Sequence, residues 1–237
     1  MTFLDKDLLQ TEELFSKALA LDPLHPDTMH FYAYLLSAVG RVKEAIAMRE
    51  RLMRIEPLAG LYTANYEAML WADGQDDALN ARLREPPPSS GFLATFLGGM
   101  YAAQGRYAEA ADAVKTAPRD SQPEGAVEAA ERLLRAVPIS RAAGSAQSLP
   151  RLGLELDFVY VHVGAPELVM QAYEDDLASG APNFESSVFL WHPSYAPVRK
   201  TERFKAYVRR AGLVEYWRAK GWSKFCKPTT GDDFECE

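Results

Sequence analysis

The strongest constraint on the fold is a short sequence pattern that occurs twice. The stretch that closes at Leu21-Asp22-Pro23 has the same form as the stretch that closes at Ile55-Glu56-Pro57, 34 residues later. A fixed period of about 34 residues is typical of arrays of helical hairpins. Such an array holds partners on an extended surface, and its architecture argues against a catalytic cleft.

Residues 26–57 contain the most complete hairpin. Apolar residues at helical spacing predict a first helix over 27–39, with Asp27 as its N-cap. Gly40 predicts the end of this helix, because glycine tolerates the left-handed backbone of a C-terminal cap. The same spacing predicts a second helix over 42–55.

Later glycines continue the spacing of the repeat. Gly74 follows Gly40 by 34 residues, and Gly105 follows Gly74 by 31. Further on, a helix is predicted over 124–137 and a loop or degenerate helix over 138–150. A last pair of helices is predicted before and after Gly164.

The sequence around Gly105 resembles the tetratricopeptide repeat (TPR) family. The residues that carry the resemblance are Leu97, Gly98, Tyr101, Gly105, Ala110 and the closing prolines Pro23 and Pro57. The chain departs from the family pattern at Arg49, where an aromatic residue is usual, and at Leu52, where alanine is usual. The resemblance implies an all-α, right-handed solenoid of degenerate helix–turn–helix repeats over residues 1–180. An aromatic and basic helical cap is expected over 181–237.

Two C-terminal runs carry a second resemblance. The sequences LWHPSYAPVR at 190–199 and YWRAKGW at 216–222 are similar to the ends of certain bacterial proteins. In those proteins a TPR array follows an adenylate cyclase domain or a winged-helix regulatory domain. Neither domain is present in this sequence, so the resemblance brings no cyclase activity to the chain.

The array is predicted to lack its first opening helix. The helix over 8–21 corresponds to the second helix of a pair, so its apolar residues Leu8, Phe15, Ala18 and Leu21 would lack a preceding partner. We therefore expect either that the polypeptide is a fragment of a longer protein or that another subunit covers this face.

Charge is distributed unevenly. The net charge of −7 disfavours nucleic acid as a partner. Residues 199–227 nevertheless contain ten basic residues and only two acidic ones. This basic segment is predicted either to dock on the acidic remainder of the chain or to offer a surface to an acidic partner, with nucleic acid the less favoured choice.

The two cysteines, Cys226 and Cys236, are too few for a disulfide framework and suit a reducing compartment, although a bond between them stays open. No apolar run approaches the 18 residues of a membrane span. We therefore expect a cytoplasmic protein.

Signals for catalysis are lacking. The sequence has no phosphate-binding Gly-Lys-Ser/Thr run and no Gly-x-Ser-x-Gly elbow. His25 and His30 are five residues apart, which does not place two metal ligands on one helical face. We expect no enzyme activity, no catalytic residues, no metal and no cofactor.

In TPR proteins the first helix of each pair lines a concave groove. By resemblance, the partner-binding residues in this groove are His30, Tyr34, Ser37, Trp71, Phe92, Thr95, Arg151, Phe158 and His162. These side chains are largely aromatic and carry few charges, so the expected ligand is an apolar peptide or helix. The alternative is that the C-terminal segment packs on many of them.

The expected function is a non-catalytic protein–protein interaction scaffold or regulatory TPR module within a larger bacterial signalling protein. An alternative is a homo-oligomerisation module that pairs through the exposed N-terminal helix. A third is a regulatory fragment attached to a nucleotide cyclase, with no catalysis in this chain.

Overall fold

The fold is known from a computed structural model that describes residues 7–83, 91–120, 122–140, 149–179, 184–231 and 233–237. These residues are mostly helical, and the strands among them form one short antiparallel hairpin. The all-α character predicted from the sequence is therefore confirmed. Contacts divide the chain into unit 1, Met1–Pro87 with Asp176–Glu237, and unit 2, Pro88–Asp175.

Unit 1 begins with five helices, α1 Leu8–Leu21, α2 Pro26–Ala38, α3 Val42–Ile55, α4 Gly60–Ala72 and α5 Asp76–Arg82. Each is joined to the next by three or four residues and packs on it, so consecutive helices run in opposite directions. The predicted bounds of α1 and α3 agree with the structure. The predicted N-cap of α2 is wrong: the ring of His25 accepts the N–H of Thr28, and Asp27 lies in the first helical turn.

The same glycine turn ends four of the described helices. The N–H of Arg41 donates to the carbonyl of Leu36 across Gly40, at 2.8 Å. The corresponding bonds join Gln75 to Leu70, Arg106 to Tyr101 and Ala165 to Tyr160. The glycines at the centre of these turns have φ between 74° and 84° and are Gly40, Gly74, Gly105 and Gly164. The sequence predicted these helix ends from glycine alone.

The C-terminal part of unit 1 is made of short elements. They are α11 Phe184–Ser187, the 3-10 turns Val188–Trp191 and Pro193–Tyr195, α12 Ala196–Arg199, α13 Glu202–Arg210, α14 Leu213–Lys220, β1 Cys226–Pro228 and β2 Phe234–Cys236. The strand hairpin was not predicted. Cys226 and Cys236 face each other across it and form a disulfide, which is the bond that the sequence left open.

Two buried tryptophans attach this C-terminal segment, residues 184–237, to α2. The indole N–H of Trp191 donates to the carbonyl of Ser37 at 2.7 Å, and that of Trp217 donates to Val39 at 2.8 Å. Both carbonyls lie at the end of α2, where backbone acceptors lack partners within the helix. A Cβ at Gly40 would lie only 2.7 Å from the Cβ of Ser223, so this glycine also permits close approach.

Unit 2 contains α6 Gly91–Ala103, α7 Tyr107–Val114, α8 Ala126–Ser140, a 3-10 turn Leu154–Leu156, α9 Phe158–His162 and the start of α10 Pro166–Ala178. The predicted helix before Gly164 is present as α9, which has five residues and follows the 3-10 turn. Small residues bring α6 and α7 together: a Cβ at Gly98 would lie 2.7 Å from Val114 Cγ2 and 3.1 Å from Phe158 Cζ. Among the described residues, no helix is both long and apolar enough to cross a membrane.

Candidate interaction surface

The predicted groove residues of unit 1 lie inside it. His30, Tyr34 and Ser37 on α2 and Trp71 on α4 are all buried. Trp71 stacks on the ring of His192, with ring centroids 4.0 Å apart, and contacts Phe189 and Tyr195 edge-on. Trp71 and Ser37 are thus in contact with the C-terminal segment, which is the arrangement that the alternative interpretation described.

His30 is buried and belongs to an aromatic cluster around the buried side chain of Arg49. Its Nδ1 lies 2.5 Å from a guanidinium nitrogen of Arg49, and its ring contacts Phe31, Tyr34 and Tyr62. The guanidinium of Arg49 also lies over the ring of Tyr34, 4.6 Å from its centroid. Burial, assisted by the Arg49 charge, lowers the pKa of His30 to about 4. The ring is therefore neutral near pH 7 and serves as an acceptor for Arg49.

In unit 2 the predicted groove residues divide into two sets. Thr95 and Phe158 are buried, and Phe158 packs where Gly98 leaves room. His162 is half-buried with its ring against Tyr107, and Arg151 is exposed and pairs with Asp175 at 2.6 Å. The side chain of Phe92 lies outside the described part of the chain. Arg151 and His162 are thus the predicted unit 2 residues that reach the surface.

Much of the basic segment forms ion pairs within unit 1. Lys220 pairs with Glu12 at 3.1 Å, and Lys224 pairs with Asp73. Further pairs are Arg209 with Asp233 and Lys227 with Glu235. Arg199 is buried and donates to the carbonyls of Leu190, His192 and Glu237. This pattern supports the prediction that the basic segment docks on acidic residues of its own chain.

Glu12 connects α1 to the rest of unit 1. Its carboxylate accepts hydrogen bonds from Arg41 at 2.5 Å and from the hydroxyls of Tyr32 and Tyr216 at 3.1 Å. Burial raises the pKa of Glu12, but Arg41 and Lys220 outweigh it and lower the pKa below its ordinary value. The ionised carboxylate therefore holds α1 against α2, α3 and α14.

One end of unit 1 leaves several leucines in solvent. The short connections 22–25 and 56–59 lie at this end, because α1 to α4 alternate in direction. The exposed side chains, with their exposed fractions, are Leu21 (90%), Leu24 (60%), Leu58 (98%) and Leu61 (59%). We call these four residues the leucine edge. A guanidinium nitrogen of Arg51 on α3 donates to the carbonyl of Pro23 at 3.3 Å and so joins α3 to the connection 22–25.

Sequence reasoning identified only Leu21 of this set. It missed Leu24 and Leu58, although each directly follows a closing proline and the two are 34 residues apart. A leucine at the same position of two loops is the signal that could have found them. Loop positions are usually polar, so a repeated apolar residue there indicates a contact surface.

Charges of both signs surround the leucine edge. Arg51 and Arg54 are basic, while Asp22, Asp27 and Glu56 are acidic, and all five are exposed. Burial raises the pKa of Tyr62, and the nearby carboxylates of Asp27 and Glu56 raise it further. Both carboxylates therefore lie close to the start of α4, beside Leu61.

Other features offer less to a ligand. An apolar cleft beside Trp191 and Tyr207 has room for about one water molecule. Among the described residues, no group of three His, Cys, Asp or Glu side chains could hold a metal ion.

No family model, curated protein or solved structure matches this chain.

Proposed function

We propose that this chain is a non-catalytic protein-interaction module built from TPR-like helical hairpins in a right-handed solenoid. The observation that carries the proposal is the recurrence of one glycine turn after Leu36, Leu70, Tyr101 and Tyr160. In addition, α2, α4 and α6 each have 13 residues and begin 34 and 31 residues apart. Recurrence of one helical unit is the signature of a repeat array.

The leucine edge is the proposed binding surface in unit 1. The predicted inner positions His30, Tyr34, Ser37 and Trp71 are buried, so a partner could reach them only by displacing packed side chains. A group of exposed apolar residues at one end of a folded unit is, by contrast, typical of an interaction site. In unit 2, Arg151 and His162 stay the proposed groove residues.

The wider biological setting also stays a proposal. A place in a bacterial regulatory protein, including one that carries a nucleotide cyclase, is supported only by the resemblance of residues 190–199 and 216–222. The prediction of a reducing, cytoplasmic environment rested on the small number of cysteines, and the structure pairs the two that are present, Cys226 and Cys236.

Affinity capture with the purified chain as bait tests the interaction function. Leu58→Asp is the informative variant, because Leu58 is almost fully exposed and its replacement leaves the core intact. We expect the wild-type chain to retain a partner that the variant loses. Ala108→Asp, at an exposed position in unit 2, introduces the same single negative charge, so it is the matched control and should retain the partner. Equal recovery by wild type and Leu58→Asp would contradict the proposed surface.

A homo-oligomerisation module is the second candidate function. The mixed charge around the leucine edge favours it, because a surface with both signs can pair with a copy of itself.

A further inference from the structure

A small hairpin of two strands, β1 Cys226–Pro228 and β2 Phe234–Cys236, follows α14. Within the described residues, these strands pair only with each other. Two strands of three residues each are too short to form a stable sheet by themselves in water. The hairpin therefore depends on the Cys226–Cys236 disulfide and on its contacts with the helices of the C-terminal segment.

Phe234 of this hairpin packs on two tryptophans. Its ring is fully buried, and its centroid lies 6.0 Å from that of Trp217 and 5.7 Å from that of Trp222. Trp217 is itself only 1% exposed. If the hairpin opened and Phe234 moved away, parts of both indole rings would become accessible to solvent.

Several contacts besides the disulfide hold β2 in place. Two of them are the ion pairs of Asp233 with Arg209 and of Glu235 with Lys227, whose side chains are between 44% and 66% exposed. Exposed ion pairs contribute little to stability, so the disulfide supplies a large part of the stability of the closed hairpin. The packing of Phe234 remains when the disulfide is broken, and it favours return of the open hairpin to its closed position.

We infer that the Cys226–Cys236 disulfide is a reversible redox switch that controls the exposure of Trp217 and Trp222. This switch goes beyond the proposed interaction function, because it operates whether or not the leucine edge binds a partner. Reduction breaks the bond and lets β2 separate from β1, while the helices of unit 1 stay folded. Reoxidation closes the hairpin over the two indole rings again.

The reductant that the switch requires is a dithiol. A thiolate of the dithiol attacks the sulfur of Cys236, which is 9% exposed, whereas Cys226 is 4% exposed. The S–S bond breaks, and Cys226 leaves as a thiolate that takes a proton from water. The second thiol of the reductant then displaces Cys236, so the chain gains two electrons and two protons and the dithiol becomes a disulfide.

Amide hydrogen exchange, measured by NMR on the oxidised and the reduced chain, tests the opening of the hairpin. The N–H groups of Thr229 and Glu237 donate across the hairpin to backbone carbonyls. The disulfide joins residues ten apart, so its loss should raise the exchange rates of these two amides on the order of a hundredfold. Amides of α2 should stay protected in both states.

Two results of this exchange experiment would overturn the switch. Equal exchange of Thr229 and Glu237 in the two states would show that the disulfide is a static crosslink. Exchange of the α2 amides as fast as that of the hairpin amides in the reduced chain would show that reduction unfolds unit 1 as a whole.

Acrylamide quenching of tryptophan fluorescence tests the exposure of the indole rings. The quenching constant of the wild type should rise when dithiothreitol is added and return to its first value after reoxidation with oxidised glutathione. The double variant Cys226→Ser, Cys236→Ser is the control, and it should show the value of the reduced wild type with or without dithiothreitol. A quenching constant that does not change on reduction, or does not return on reoxidation, would contradict a reversible switch.

Discussion

Unit 1 and unit 2 use the same glycine turn but bury their helices with different side chains. All four tryptophans of the chain lie in unit 1, and the Trp191 and Trp217 indoles bond carbonyls 154 and 178 residues earlier. Unit 2 instead packs small residues, including the buried Ala102, Ala110 and Ala111. The same local turn thus occurs in a unit whose core joins aromatic residues that are distant in sequence, and in a unit whose helices pack closely through small residues.

This difference predicts different dependence on the C-terminal segment. Unit 1 requires residues from both ends of the sequence, whereas unit 2 is continuous in sequence. The location of all four tryptophans in unit 1 also supplies a probe, because tryptophan fluorescence then reports on unit 1 alone. Far-UV circular dichroism reports on helices of both units, so the two signals together distinguish them.

The largest expected effect follows from removing the Trp191 side chain. Trp191→Ala should lower the free energy of unfolding of unit 1 by about 3–5 kcal/mol, because it leaves a large cavity and removes the hydrogen bond from the indole to the Ser37 carbonyl. Urea denaturation followed by the remaining tryptophans measures this loss. Trp191→Phe keeps most of the ring and should cost less. Equal costs for the two variants would show that the cavity does not set the stability.

The disulfide should have the next largest effect. The bond joins Cys226 and Cys236, which are ten residues apart, and lowers the conformational entropy of the unfolded chain. This loss of entropy should stabilise the folded state by about 2–3 kcal/mol. We expect the double variant Cys226→Ser, Cys236→Ser to shift the fluorescence transition by this amount. Dithiothreitol should shift wild type equally and leave the double variant unchanged. A wild type that is insensitive to dithiothreitol would contradict a stabilising bond.

A substitution confined to unit 2 should have a smaller effect. Gly98→Ala places a Cβ 2.7 Å from Val114 Cγ2, which should cost about 1–3 kcal/mol. The circular dichroism transition of unit 2 should move, while the tryptophan signal should not. Adding Val114→Ala removes the contacting methyl groups, so the double variant should lose less stability than the sum of the single variants. If the losses of the two single variants were additive, the contact with Val114 would not be the source of the strain.

The sequence could predict features that depend on neighbouring residues. Helices α1 and α3 have the predicted bounds, because periodicity, glycine and proline mark helix ends locally. The packing of the C-terminal segment on α2 and α4 depends on residues far apart, which periodicity does not register. It was therefore predicted only as one of two alternatives for the groove residues.

The candidate site was less predictable than the helices. Leu21 was expected to be exposed because α1 lacked an apolar partner, but Leu24 and Leu58 lie in connections that carry no periodic signal. Arg49 was noted only as a departure from the TPR pattern. In the structure its guanidinium stacks on Tyr34 and bonds His30.

The two units should respond to protonation with opposite signs. In unit 1, burial lowers the pKa of His30 from 6.5 to about 4. The unfolded chain therefore binds more protons than the folded chain between these values. The contribution of His30 is fully present above pH 6.5 and is lost as the pH falls toward 4.

In unit 2, the buried carboxyl of Asp157 should respond to pH with the opposite sign. Burial raises its pKa well above 3.8, although bonds from backbone N–H groups and the Tyr173 hydroxyl oppose the shift. The unfolded carboxyl ionises first as the pH rises, so unit 2 should lose stability on the alkaline side of pH 4. Urea titrations from pH 4 to pH 7 should show unit 1 gaining stability and unit 2 losing it. Asp157→Asn should flatten the dependence of unfolding free energy on pH in unit 2 and leave that of unit 1 unchanged. If the two units of the wild type instead showed the same dependence on pH, groups other than His30 and Asp157 would control it.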